Sequence, residues 1–158
     1  MEPRIVDDSG FLTVGLVQDF TLDDTQPIGK IWERFAREMD SIPNTTGDRC
    51  FGICIEFDET SGLGRYLAGA EVNSLYNVPK GMAGRAMPPQ RYAVFTHSLS
   101  DGPIDQGLLE IRRYFTDIWL PNSAYKRAYA PDFEMYDHRF NSRNMSGEVD
   151  LYIPITEK

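Results

Sequence analysis

The sequence predicts an α+β fold made of two successive β-α-β-β units. Three observations lead to this prediction: two helical apolar stripes lie far apart in the chain, each follows one strand-like run and precedes two more, and a stretch rich in Pro and Gly separates them. A chain of 158 residues can bury about two-thirds of its unfolded surface, so a single folded domain over residues 1–158 is expected. Its two pseudo-repeats cover approximately residues 8–76 and 88–157.

The first unit opens with an apolar strand over residues 11–20, FLTVGLVQDF. A helix follows, because Asp24 or Thr25 can cap it and Pro27 suits its first turn. Its apolar residues recur at steps of three and four, as the buried face of a helix requires. They are Ile28, Ile31, Trp32, Phe35 and Met39. The closing strands are CFGICIEF, residues 50–57, and RYLAGAEV, residues 65–72, joined by the turn-forming DETSGLG.

The second unit repeats this order, beginning with a strand over residues 91–99, RYAVFTHSL. Asp101 and Pro103 open its helix, and Pro121 ends it. The helical stripe consists of Ile104, Leu108, Ile111, Phe115, Ile118 and Trp119. The closing strands are DFEMYDHRF, residues 132–140, and EVDLYIPI, residues 148–155.

The closing strands of the two units match at an offset of about 82 to 83 residues, which supports a duplication. The alternative is the chance similarity that any α+β domain of this size can show. Between the units, the connector NVPKGMAGRAMPPQ has room for a short strand at residues 82–86. Two like halves would leave a cleft at their junction, and such junctions are preferred places for small-molecule sites.

The last strand carries the candidate site, because its two faces differ in chemistry. The apolar positions are Val149, Leu151, Ile153 and Ile155, and the alternating positions are Glu148, Asp150 and Tyr152. A strand with this alternation buries its apolar face. The other face either meets water or forms the floor of a binding site.

Composition and charge argue against several classes of protein. With 41% apolar and 12% aromatic residues the chain is too rich for disorder, yet it has no apolar run long enough to cross a bilayer. A net charge of -8 without clustered Lys or Arg argues against direct nucleic-acid binding. The opening MEPRIVDDSG lacks the features of a secretory signal, so a cytoplasmic location and no membrane contact are expected.

The sequence predicts no metal site, cofactor or catalytic residue. Cys50 and Cys54 lie about 13 Å apart along a predicted strand, too far for a disulfide, and no Cys or His cluster completes a metal site. His97 and His138 have no Ser or Cys nucleophile motif around them and are expected to be surface or packing residues.

The chain resembles the GyrI-like effector-binding domains, which also form the ligand-sensing half of AraC-type and multidrug-responsive transcription regulators. The stretches that carry the resemblance are PPQRYAVFTH (88–97), DIWLPNSAY (117–125), APDFEMYD (130–137) and VDLYIPI (149–155), with FLTVGL and IWERF fitting more loosely. The resemblance implies a curved antiparallel sheet with two main helices and a central cleft for amphipathic, often cationic, small molecules. It also implies that the acid before the final Tyr-Ile-Pro-Ile, here Asp150 where Glu is usual, lies at the heart of the site. Glu148 on the same face is a partial substitute.

We therefore expect a stand-alone bacterial binding module for amphipathic, in particular cationic, small molecules, acting in sensing or sequestration. The candidate ligand-binding residues are Asp150, Tyr152, Glu148, Trp119, Tyr92, Tyr66 and Trp32. Trp119 and Trp32 fit a helical core equally well, and Tyr66 and Tyr92 fit the rim of a sheet. The pair Glu134 and Tyr136 is assigned a structural role.

Two other functions remain open. Some members of the resembling family are similar to hydrolases, in which Asp150 or Glu148 would act as general acid or base. An enzyme is the less favoured interpretation, because no second catalytic group occurs at a convincing place. Other relatives resemble inhibitors of a larger enzyme such as DNA gyrase, and an acidic chain would suit a basic surface on such a protein partner.

Overall fold

The computed structural model describes residues 1–158, which divide into two compact units. The N-terminal unit comprises Ser9–Pro89, and the C-terminal unit comprises Gln90–Lys158 together with Met1–Asp8. The strands are β1 (Arg4–Asp8), β2 (Phe11–Thr21), β3 (Thr45–Phe57), β4 (Leu63–Val72), β5 (Ala83–Met87), β6 (Gln90–Ser98), β7 (Tyr125–Arg127), β8 (Phe133–Tyr136), β9 (Phe140–Asn141) and β10 (Ser146–Glu157). The helices are α1 (Gln26–Glu38) and α2 (Ile104–Tyr114).

The N-terminal unit is an antiparallel sheet in the order β3-β4-β2-β5 with α1 packed on one face. That face, called here the helix face, buries Ile31 and Phe35 of α1 against alternate residues of β2 and β4 such as Leu16 and Ala68. Strand β2 approaches β4 closely at Gly15, where a Cβ would lie 1.9 Å from the Ala68 carbonyl oxygen. Only glycine fits at that position.

The C-terminal unit has the equivalent antiparallel order β8-β10-β6-β1, and the short strands β7 and β9 also pair with β10. Its helix face is formed by Ala93 and Phe95 of β6 and by alternate residues of β10 from Leu151 to Ile155, which pack against Leu108 and Ile111 of α2. We call the side of each sheet away from the helix of its own unit the far face.

The α+β class and the two β-α-β-β units are confirmed: the chain runs β2-α1-β3-β4 and then β6-α2-β8-β10. The short strand expected in the connector is present as β5. The cleft expected at the junction of the units stays a prediction. No helix has both the length and the apolar character needed to cross a membrane.

Three details differ from the sequence-based expectations. Strands β1 and β7 were not predicted. The run DFEMYDHRF is not one strand, because a turn in which the Phe140 N–H donates to the Asp137 carbonyl at 3.0 Å separates β8 from β9. The second helix ends its α-helical part at Tyr114 and continues as a π-helical turn over Phe115–Trp119, which leaves Ile118 exposed although the stripe placed it in the core.

Candidate functional site

Asp150 lies in the middle of the C-terminal sheet and is almost completely buried, with 1% of its surface exposed. Its strand β10 runs between β6 and β8, so that Asp150 stands opposite Thr96 on one side and Met135 on the other. Tyr152, two residues further on and therefore on the same far face, is 7% exposed. At Asp150 and Tyr152 the polar face of the last strand is thus buried as well as its apolar face.

The Asp150 carboxylate receives four hydrogen bonds from side chains of its own unit. Thr96 Oγ1 donates to Oδ1 at 2.6 Å, and Arg139 donates through Nη1 to Oδ1 at 3.2 Å and through Nη2 to Oδ2 at 2.8 Å. Arg4 Nη2 donates to Oδ2 at 3.1 Å. A buried carboxylate needs counter-charge or donors to replace its lost hydration, and two guanidinium groups provide them here.

Arg139 links Asp150 to two further carboxylates. Its Nε donates to Asp137 Oδ1 at 2.9 Å, and its Nη1 lies 3.3 Å from Glu148 Oε2. Hydrogen bonds to Asp150 and then to Asp137 raise the pKa of the Arg139 guanidinium. We call the charged residues joined by these ion pairs the Asp150 cluster: Arg4, Asp137, Arg139, Glu148 and Asp150. Three carboxylates face two guanidinium groups, so the ionised cluster carries one net negative charge.

Three aromatic rings, called here the triad, share the far face with Asp150. Phe133 and Tyr152 stack with centroids 4.7 Å apart and planes at 15°, and Tyr92 meets them edge-on at 5.3 and 5.5 Å. Burial, followed by the nearby charge of Asp8, raises the pKa of Tyr92 to about 12. The C-terminal unit therefore places a buried carboxylate beside three packed rings.

The structure does not bring all of the predicted site residues together. Asp150, Glu148, Tyr152 and Tyr92 share the far face of the C-terminal unit, with Glu148 at its more exposed end. Trp119 belongs to the helix-face core of that unit, where it stacks on Phe115 at 5.7 Å and on Tyr125 at 6.1 Å.

Trp32 and Tyr66 form a separate pair in the helix-face core of the N-terminal unit. The Trp32 indole N–H donates to the Tyr66 hydroxyl at 2.9 Å. Both Trp32 and Trp119 therefore pack against the core on the helix face of their units, which is the core position that their helical stripes also allowed.

Sequence reasoning missed four residues that contact Asp150 or Tyr152, namely Arg4, Thr96, Phe133 and Arg139. Strand register would have identified Thr96 and Phe133, since they stand directly opposite Asp150 and Tyr152. Nothing local in the sequence marks the two arginines as partners of an acid on the last strand.

Two other polar groups lie on the helix face of the C-terminal unit. Glu134 stands opposite Leu151 and is buried, and burial followed by the charge of Glu134 raises the pKa of Tyr136 well above its usual value. His97 packs beneath Gly107 of α2, with its Nε2 2.9 Å from the Gly102 carbonyl oxygen, which confirms it as a packing histidine.

The N-terminal unit has a related arrangement on its own far face. Phe11 stacks on Phe51 with centroids 4.1 Å apart, and the Arg49 guanidinium lies 5.5 and 5.1 Å from the two ring centroids. Arg49 Nε also donates to Glu71 Oε1 at 3.1 Å, and this bond is the main reason why the pKa of Glu71 is lowered.

A shallow hollow occurs elsewhere on the N-terminal unit, at the turn that joins β3 to β4. It is lined by residues that include Asp19, Glu56, Asp58 and Arg65, and the Arg65 Nε lies 3.0 Å from Asp19 Oδ1. None of the predicted site residues lines it.

The chain matches a protein family and is similar to individual proteins of known name. A family model described as integron-associated effector binding protein matches residues 4–155. The chain is 34% identical over 157 residues to the transcriptional regulator BrlR of Pseudomonas aeruginosa, with 98% of this chain and 56% of BrlR covered. It is 32% identical over 87 residues to a DNA gyrase inhibitor of Erwinia billingiae, with 52% of each covered. The chain thus spans about half the length of BrlR, and half of each sequence aligns in the second case.

Three solved structures share the fold at low sequence identity. An integron cassette protein from the mobile metagenome of Vibrio cholerae superposes with a TM-score of 0.67 at 19% identity, covering 98% of this chain and 96% of its own. SAV2435 bound to tetraphenylphosphonium gives 0.72 at 16%, covering 99% and 94%. The C-terminal domain of EcmrR gives 0.73 at 16%, covering 99% and 98%. The family model extends over nearly all of the chain, and the chain therefore belongs to the integron-associated effector-binding proteins of the GyrI-like family that its sequence resembles.

Proposed function

We propose that the far face of the C-terminal unit binds amphipathic small molecules and prefers lipophilic cations. The observation that carries this proposal is the placing of a buried carboxylate, Asp150, on the same sheet face as the triad. Membership of an effector-binding family supports a ligand-binding role. The likeness to SAV2435, a protein seen bound to tetraphenylphosphonium, supports the class of ligand.

Charge and ring chemistry favour a cation over an anion at this face. The Asp150 cluster carries one net negative charge, and the faces of aromatic rings are negative. A greasy cation is poorly hydrated and loses little by leaving water, while each dry ring face contributes about 0.5 to 2 kcal/mol. Such contacts fix neither shape nor a donor pattern, so a broad range of ligands is expected.

Burial of the triad affects how a ligand reaches it. Tyr92 is 1% exposed and Tyr152 7%, so neighbouring side chains must move before a ligand touches the rings. Complexes that need such a conformational change associate more slowly than the usual rate constants of about 10⁵ to 10⁷ M⁻¹s⁻¹. We therefore expect slow association that does not rise in proportion to ligand concentration.

The test measures tetraphenylphosphonium binding by calorimetry in the wild-type protein and two ring variants. Tyr152→Leu keeps an apolar side chain but removes a ring face, and we expect it to raise the dissociation constant about tenfold, the equivalent of one cation–π contact. Tyr125→Leu is the matched control, because Tyr125 stacks on Trp119 on the helix face. Equal weakening in both variants, or no binding to the wild type, would contradict the proposal.

A second pair of variants tests the role of charge. Glu148→Gln removes one negative charge from the exposed end of the cluster without touching the four bonds of Asp150, so we expect about two- to threefold weaker cation binding. Asp150→Asn should weaken binding more strongly. Unchanged affinity in Asp150→Asn, measured on protein that melts cooperatively, would show that the carboxylate is not part of the site.

The likeness to BrlR, a transcriptional regulator, supports a sensing role for the bound molecule rather than a catalytic one. Recovery of unchanged ligand after prolonged incubation is the expected result. Conversion of the ligand would favour the hydrolase interpretation.

A further inference from the structure

We propose that Arg4 is an internal cation that competes with ligand cations for Asp150 and so limits how strongly the site prefers positive charge. This inference rests on the proposed function. It concerns a residue on the first strand of the chain, far in sequence from the candidate site and absent from the sequence-based set.

The two arginines that contact Asp150 are held very differently. Arg139 makes two hydrogen bonds to the carboxylate and also pairs with Asp137 and Glu148. Arg4 makes one bond, of 3.1 Å, and its side chain is 60% exposed against 2% for that of Asp150. When Arg4 leaves, its guanidinium regains water at once, whereas Asp150 keeps three of its four bonds. Arg4 is therefore the partner that is exchanged most easily.

Strand register brings Arg4 alongside the triad. Arg4 of β1 stands opposite Val94 of β6, Val94 stands opposite Tyr152 of β10, and Tyr152 stands opposite Phe133 of β8. These four residues form one row across the far face, because directly opposite residues project to the same side of a sheet. A cation that stacks on Tyr152 thus approaches the position from which Arg4 reaches Asp150.

The net charge of the Asp150 cluster determines whether loss of Arg4 strengthens or weakens ligand binding. With Arg4 in place the cluster carries one net negative charge, and without it the cluster carries two. An incoming cation that takes the place of Arg4 leaves the local charge unchanged, while an incoming anion gains from the presence of Arg4. Removing the Arg4 charge should therefore strengthen cation binding and weaken anion binding.

Tetraphenylphosphonium and tetraphenylborate test this directly, because they have nearly the same shape and opposite charge. Binding of both ions is measured in wild type, Arg4→Gln, Arg4→Lys and Arg91→Gln. Arg91 is the matched control: it pairs with Asp7 across the same two strands, at 2.7 Å, but on the helix face. Arg4→Lys keeps the charge while changing the shape of the group.

We expect Arg4→Gln to bind tetraphenylphosphonium about three- to tenfold more tightly than wild type and tetraphenylborate more weakly, at low salt where exposed charges act most strongly. Arg4→Lys and Arg91→Gln should stay within about twofold of wild type for both ions. If wild type binds the cation but Arg4→Gln binds it equally or less tightly, or if Arg91→Gln gives the same change, the role of Arg4 is overturned while the proposed function stands. If no variant binds either ion, both proposals fall.

Discussion

The two units share one strand order and one helix position, yet they build different chemistry on their far faces. Each unit has a phenylalanine on the far face of its first closing strand, Phe51 on β3 and Phe133 on β8. Phe51 stands opposite Gly69, and Phe133 stands opposite Tyr152. Where the C-terminal unit stacks Tyr152 on its phenylalanine, the N-terminal unit has a glycine, and the stacking ring is Phe11 from β2. A Cβ at Gly69 would meet the Val14 carbonyl oxygen at 2.9 Å, so that position cannot carry a side chain without movement.

The two units also differ in what their far-face arginines contact. Arg49 lies over the Phe11 and Phe51 rings and also pairs with Glu71, so the N-terminal rings already have a cation of the protein beside them. In the C-terminal unit Arg139 and Arg4 point to the carboxylate of Asp150 instead. Both units thus place a phenylalanine ring and an arginine–acid pair on their far faces. In the N-terminal unit the arginine also lies over the rings, whereas in the C-terminal unit two arginines donate to the buried Asp150.

The largest expected effect comes from removing the buried acid. Asp150→Asn removes the buried negative charge to which both Arg139 and Arg4 donate, although Arg139 keeps Asp137 and Glu148 as partners. We expect it to lower the free energy of unfolding by roughly 2 to 4 kcal/mol. Glu71→Gln in the less buried N-terminal pair should cost about 1 kcal/mol. Urea unfolding of both variants compares the units directly, and equal losses would show that the two pairs are energetically alike.

The helices provide a second contrast through one glycine in each. A Cβ at Gly107 of α2 would come within 2.3 Å of the His97 ring, so Gly107→Ala should destabilise the protein by about 2 kcal/mol. At Gly29 of α1 nothing lies within 4 Å, and Gly29→Ala should stabilise it by about 0.5 to 1 kcal/mol. Thermal melting of the pair checks this; a shift of the same sign in both would mean that α2 does not dock closely on His97.

The pH dependence of stability in acid should report on the Arg49–Glu71 pair of the N-terminal unit. The hydrogen bond from Arg49 holds the pKa of Glu71 below its ordinary value of 4.5. The stability that ionised Glu71 contributes is therefore present above pH 4.5 and is lost as the pH falls through the lowered folded pKa. The difference in unfolding free energy between wild type and Glu71→Gln should be greatest near neutral pH and shrink in acid. A difference that does not change with pH would contradict the assignment.

Alkaline titration gives the smallest signal and concerns the triad. The pKa of Tyr92 is raised to about 12 by burial and by the charge of Asp8, so its neutral form stabilises the fold up to its unfolded value of 10.0 and this contribution is lost as the pH rises through about 12. Tyrosinate absorbance should show a late-titrating group that is missing in Tyr92→Phe. Loss of an early-titrating group instead would place Tyr92 in contact with water.

The helices and long strands follow from local patterns, so the sequence predicted them. The α1 stripe of Ile31 and Phe35, the proline in its first turn and the alternation in β10 each describe interactions within a few residues of one another. Strand β1 lacks such a signal, because RIVDD is short and charged and becomes a strand only by pairing with β6. The position of Ile118 was wrong because a π-helical turn shifts the register of a helical stripe by one residue.

Only part of the candidate site could be predicted from the sequence, because the rest depends on contacts between distant residues. The alternation in β10 put Asp150 and Tyr152 on one face, and that placement is what the structure has. The ion pairs of Asp150 depend on Arg4 and Arg139, whose positions are set by a distant strand pairing and by a turn. Trp119 and Trp32 could not be assigned to core or site, since helix periodicity does not tell what a stripe packs against. Tyr66 lies on β4, which is buried on both faces, so its alternation did not tell which face meets α1.

The pairing of β1 with β6 has a consequence for how the protein is made. Every strand of the N-terminal unit lies between these two partners in the chain, so a ribosome releases β2 to β5 as a continuous block before it reaches Gln90. These strands can fold early, whereas β1 can pair only after β6 has been synthesised. Contacts between residues so far apart in sequence form slowly. Asp150 emerges later still, so the ion pair between Arg4 and Asp150, which are 146 residues apart, forms only after both units have been almost completely synthesised.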